Sequence, residues 1–146
     1  MNLKTIKSYK PIGEGSTRRA FLSPQGTVFK IHRDDDCFYE SLKETRPENK
    51  REILLWLFVQ GTALEHLFLP ILDHCPKFTW IEMPFCEDID YSEVRTANPL
   101  IPKAWKDSYY FNFGLYQDRI VIRDYGGFNS IEEFCACDLE RWLATN

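Results

Sequence analysis

The sequence predicts an α+β fold: a five-stranded antiparallel sheet with one helix in residues 1–85, followed by a much reduced C-terminal part. Three observations carry this. Residues 8–33 alternate β-rich runs with turn residues, a helical apolar repeat begins at Glu48, and two further strand-like runs follow that repeat before the sequence becomes acidic and proline-marked. Strand, strand, strand, helix, strand, strand is therefore the expected order of the first half.

Taken in order, the first strand leads into Gly13-Glu14-Gly15-Ser16-Thr17-Arg18, and the chain returns through Ala20-Phe21-Leu22. It turns at Ser23-Pro24-Gln25-Gly26 and goes out again as Thr27-Val28-Phe29-Lys30-Ile31; Pro-Gln-Gly between β-rich runs is turn chemistry. Residues 33–49, with three consecutive aspartates and Pro47, read as a solvated acidic connection or a helix that starts late. From Glu48, Ile53, Leu54, Leu57 and Phe58 recur at three- and four-residue steps, with Arg51, Glu52 and Gln60 elsewhere on the surface and Gly61 as a natural stop. Residues 67–72 and 78–83 read as strands separated by 73–77. Between 86 and 106 a linker with at most one short helix is expected, Pro99 and Pro102 bracketing Leu100-Ile101. Residues 107–126, DSYYFNFGLYQDRIVIRDYG, read as a loop, a strand hairpin turning at Tyr116-Gln117-Asp118, and a second loop. Ser130 and Glu133 have the spacing of a capping box, so a last helix is expected to run through Phe134, Leu139, Trp142 and Leu143. The sequence has neither internal repeats nor low-complexity segments.

A chain of 146 residues is enough for one core and too short for two. With 22 acidic against 18 basic residues the net charge is −4, which argues against nucleic acid or an anionic membrane as partner, since phosphate-backbone binding needs clustered Lys and Arg. No window reaches the roughly 20 apolar residues of a membrane span. The start, MNLKTIKSYK, lacks the apolar core of a signal peptide, so a cytoplasmic location is expected, host cytoplasm for a viral chain. The five cysteines then read as free thiols. Cys135-x-Cys137 and His74-Cys75 have no second pair at ligand spacing, as a zinc site would need.

Between Asp107 and Gly126 three oxygen-bearing side chains, Asp107, Asn112 and Asp124, fall at the ends of two strands. Such donors suit magnesium, which keeps several waters and shares its sphere with phosphate. In order and spacing the stretch resembles the catalytic and metal loops of the protein-kinase-like family, D-x-x-x-x-N followed by D-F-G, with Tyr125 at the Phe place. Upstream, Gly13 and Gly15 match the first two glycines of G-x-G-x-x-G, while Arg18 stands at the third place and Ser16 offers a hydroxyl. Lys30 resembles the third-strand lysine, with Val28 where the motif has Ala. Glu52 resembles the helix glutamate that holds this lysine, and Glu48 lies one turn earlier on the same face. Met83-Pro84-Phe85 falls at the adenine-binding hinge, where proline lacks its own N–H.

The resemblance implies ATP and Mg2+ as cofactors. Gly13, Gly15, Ser16, Lys30, Glu52, Met83 and Phe85 would lie on the nucleotide, Asn112 and Asp124 on the metal, and Asp107 would act as catalytic base beside Lys30. It also implies a single minimal kinase-like domain: small lobe and hinge at 1–85, linker at 86–106, and catalytic-loop hairpin, DYG and final helix at 107–146. This sequence departs from the pattern in having Trp105 and Lys106 for His and Arg of H-R-D, and Tyr109 where many kinases have Lys. About twenty residues between hinge and Asp107 leave no room for two bracing helices, and no A-P-E motif follows. The expected function is ATP- and magnesium-dependent phosphoryl transfer to a protein Ser/Thr hydroxyl or a small molecule. The alternative is a pseudokinase-like interaction module that modulates a protein partner, with Tyr109, Tyr110 and Phe111 as contacts; nucleotidyl transfer on the same scaffold is a more distant third. No particular oligomeric state is demanded by the pattern.

Overall fold

A computed structural model of the chain describes residues 1–15, 17–33, 47–105, 108–126, 132 and 138–145. Ser16, most of the acidic connection, Asp107, and Ser130, Glu133 and Phe134 of the expected last helix lie outside the described residues. The chain forms two compact units, residues 1–53 with 70–85 and residues 54–69 with 86–146.

The first unit is built on an antiparallel sheet of β1 (Lys10–Glu14), β2 (Arg18–Leu22), β3 (Thr27–His32), β4 (Asp73–His74) and β5 (Trp80–Pro84), in the spatial order β1-β2-β3-β5-β4. The number of strands and their antiparallel order match expectation, while β4 falls at 73–74 instead of 67–72. Ser23 to Gly26 closes the β2–β3 hairpin, with Gly26 at φ 81° and its N–H donating to the Ser23 carbonyl at 3.1 Å. Alternation along β3 buries Phe29 and Ile31 with Phe21 and Trp80, so the intervening Lys30 belongs to the opposite face of the sheet. The core is completed by α1 (Leu3–Lys7), which the sequence reading missed. Asn2 caps this helix by accepting from the Thr5 N–H at 2.9 Å, and Ile6 is fully buried against the sheet residues.

Helix α2 (Pro47–Val59) starts where expected, but its apolar stripe was misread. Leu54, Leu57 and Phe58 are exposed, and the buried positions are Asn49, Glu52, Ile53, Leu55, Trp56 and Val59. Two polar residues on the inner face made the hydrophobic periodicity point to the wrong side. Residues 67–72 are likewise no strand. Pro70, without an N–H, divides the run. Before it, the Leu69 N–H donates to the Ile122 carbonyl, and after it the Leu72 N–H donates to the Glu82 carbonyl. Only Asp73–His74 pairs as β4.

The second unit holds β6 (Glu87–Asp88), α3 (Tyr91–Ala97), β7 (Leu100–Pro102), β8 (Phe113–Tyr116), β9 (Arg119–Ile122) and β10 (Leu139–Arg141). The strands form a three-stranded sheet, β6-β8-β9, and a β10-β7 pair. A capping box sets α3: Asp90 accepts from the Glu93 N–H, and the Glu93 carboxylate accepts from the Asp90 N–H. Glu132 is helical, but the C-terminal helix expected to run on through Leu139 does not continue there, because Leu139–Arg141 pairs with β7 before Trp142–Thr145 forms a helical turn. Among the described positions of the expected stripe, Leu139 and Leu143 are exposed and Trp142 is buried. Trp142 packs edge-on against Tyr91 and Phe113, and its indole N–H donates to the Ser108 carbonyl at 2.6 Å. No helix among the described residues is long and apolar enough to cross a membrane.

Candidate functional site

In the first unit, Lys30 lies between Ala20 of β2 and Ile81 of β5, and its Nζ donates to Glu52 Oε1 at 3.2 Å. Glu52 is wholly buried. Arg18 reaches the same carboxylate in a two-pronged grip, Nη1 to Oε2 at 2.6 Å and Nη2 to Oε1 at 3.3 Å. Planar guanidinium matches planar carboxylate, which makes this the stronger of the two links. Arg18 Nη1 also donates to Asn49 Oδ1 at 3.1 Å, while the Asn49 amide donates to the Phe78 carbonyl at 3.0 Å and the Lys30 carbonyl at 3.5 Å. Glu48, the rival for Lys30, instead stands 3.9 Å from His32.

Gly13 lies in β1 and Gly15 just past it, where the Gly15 N–H donates to the Arg18 carbonyl at 2.8 Å. A side chain at either glycine would meet only ordinary contacts, 3.9 Å from Ala20 and 3.8 Å from the Arg18 carbonyl. At the hinge position Met83 is buried opposite Val28, Pro84 pairs with Thr27, and Phe85 is exposed. Arg18 and Asn49 were not read from the sequence as members of this cluster. The signal available was Arg18 itself, a charged residue at a place the motif reserves for glycine.

In the second unit the β8–β9 register, Phe113 with Ile122, brings Asn112 and Asp124 to the open end of one hairpin. The Arg123 N–H donates to the Asn112 carbonyl at 2.8 Å, and Asn112 is buried. Arg123 Nη1 meets Asp88 at 2.6 Å, and its Nε and Nη2 donate to the Phe111 carbonyl at 3.2 and 3.1 Å. Burial works against the charge on Arg123, but Asp88 and Cys86 outweigh it and hold its pKa above the ordinary arginine value. Tyr125 is fully buried; its hydroxyl donates to the Leu69 carbonyl at 2.9 Å, and its ring packs edge-on with Phe68. Trp105 is buried against Phe113. Among the described residues no three His, Cys, Asp or Glu side chains gather as a metal group. An Asp with an Asn fits instead an ion that keeps waters and takes its remaining oxygens from phosphate, which is the chemistry of magnesium.

No protein-family model matches the chain, and no curated protein gives a significant match. Solved structures similar to it include kinase domains. A point variant of the Mycobacterium tuberculosis PknI kinase domain is 16% identical, with 82% of this chain and 59% of that one covered and a TM-score of 0.41. The Legionella pneumophila Lpg2603 kinase, determined bound to IP6, is 18% identical, with 84% and 50% covered and a TM-score of 0.45. The unsubstituted PknI kinase domain is 16% identical, covered at 82% and 59%, with a TM-score of 0.38. This chain thus spans 50% to 59% of the length of those structures.

Proposed function

We propose that the protein is a minimal kinase-like phosphotransferase. In this reading Lys30, held by Glu52, neutralises the phosphates of ATP, while Asn112 and Asp124 hold magnesium. Asp107 accepts the proton of a protein Ser/Thr or small-molecule hydroxyl. Magnesium, when bound, screens the charge of the transferring phosphoryl group. The observation that carries the reading is the 3.2 Å contact between the third-strand lysine and a wholly buried helix glutamate. A buried carboxylate is costly unless cations meet it, and here one of those cations is the lysine that the motif order assigns to phosphate. The same order continues through D-x-x-x-x-N to DYG.

The test is incubation of the purified chain with γ-labelled ATP and magnesium, alone and with candidate acceptors, beside Asp107→Ala and Asp124→Asn. Label transfer reduced about a hundredfold or more in both variants is the expected result. Absence of transfer together with absence of a magnesium-dependent thermal shift by ATP would overturn it. The second reading, an interaction module, is favoured by one observation. Tyr109 and Phe111 stack in parallel at 5.3 Å while remaining 59% and 54% exposed, an aromatic face of the kind that anchors protein contacts.

A further inference from the structure

The first two turns of α2 are seated on the sheet by polar groups along one face. Asn49 and Glu52, three residues apart, are both fully buried. Asn49 ties the helix to the Phe78 carbonyl beyond β4 and to β2 through Arg18, and Glu52 ties it to β2 and β3 through Arg18 and Lys30. Arg18 is the member shared by both helix residues. Its two nitrogens engage both oxygens of Glu52, so the carboxylate cannot rotate away from Lys30 without breaking two charge-assisted bonds.

The geometry points to Arg18 as a positioning residue that locks Glu52 against Lys30, so that the lysine–glutamate pair is permanently assembled. The pair is then formed by the fold and needs no activator or nucleotide to bring α2 into place. The bearing of this lock on phosphate binding rests on the phosphotransferase reading; the lock itself does not. It gives the arginine at the third glycine place a role: in exchange for close backbone approach to a ligand, the first residue of β2 gains a link to the helix.

Lysine acylation with a water-soluble acetyl ester, read residue by residue by mass spectrometry on the full chain, tests it. In the ligand-free wild type, Lys30 should react about tenfold more slowly than the exposed Lys10 and Lys77. Arg18→Met should bring Lys30 up toward the rate of Lys10 while leaving the rates at Lys10 and Lys77 unchanged, and Arg18→Lys, which keeps the charge but loses the fork, should fall between. Equal Lys30 rates in wild type and Arg18→Met overturn the lock. So does a wild-type Lys30 as reactive as Lys10, a result that stands even if Arg18→Met does not fold. A parallel arm with magnesium and ATP separates the two readings. A slow wild-type Lys30 released by Arg18→Met, with rates indifferent to ATP, supports the lock and removes nucleotide from the site.

Discussion

A Cβ at Gly114 would lie 2.5 Å from Cys86 Sγ and 3.1 Å from both Arg123 Cδ and the Glu87 carbonyl. The first contact is far inside van der Waals range, and the backbone carbonyl has little freedom to retreat. Gly114→Ala is therefore expected to destabilise the protein by about 1–3 kcal/mol, seen as a lower urea midpoint at unchanged slope. Adding Cys86→Ala should restore part of the loss, because Sγ is the nearest obstacle. Glu52 makes the opposite kind of demand. Glu52→Ala leaves the Arg18 guanidinium buried without its carboxylate, and an unfolding free energy lower by about 3–5 kcal/mol is expected. The positions of Lys30 and Glu52 were legible because motif order and helix placement are written locally. Arg18 and Asn49 were not, because their contacts span about thirty residues of sequence, and the one local signal was the charge of Arg18 at a glycine place.

The β8–β9 hairpin turns through Gln117 and Asp118, at φ 50° and 62°. Two successive left-handed residues are the mark of a type I′ turn, for which Asn-Gly is the favoured pair. Gln117→Asn with Asp118→Gly should raise stability by about 1 kcal/mol, checked by equilibrium urea unfolding. At α3, the Glu93 N–H and the Ser92 hydroxyl, both donating to Asp90, hold its carboxyl below the ordinary aspartate pKa. A depressed folded-state pKa contributes stability above the unfolded value and loses it as pH falls through the folded value. The melting temperature of wild type should thus exceed that of Asp90→Ala by a constant margin near neutral pH, a margin that shrinks below about pH 4. The Asp90-x-x-Glu93 spacing of this cap was readable in the sequence and passed over. The β2–β3 hairpin was read correctly because turn chemistry is local. Strand β10 was misread as helix because its fate depends on β7, about forty residues away.

Across the whole chain, the net charge of −4 leads to a simple expectation: no binding to duplex DNA at about 0.15 M salt, measured by fluorescence anisotropy of a labelled duplex. Salt-sensitive binding would show that the basic residues are clustered in a way their number does not reveal. Composition of this kind fixed the class of partner to expect, but not the division into two units, which interleaves the sequence at residues 53, 69 and 85. Only Pro70 marks one of those crossings. Two clusters of the molecule also differ in a thermal sense that follows from what makes them. Hydrocarbon burial loses its drive on cooling, because it carries a large heat capacity, whereas ion pairs and amide bonds do not. The aromatic packing of Trp142, Phe113 and Tyr91 belongs to the first kind, and the Arg18–Asn49–Glu52 seat of α2 to the second. Near freezing, the helix should still be gripped by its charges when the oily contacts have begun to slacken.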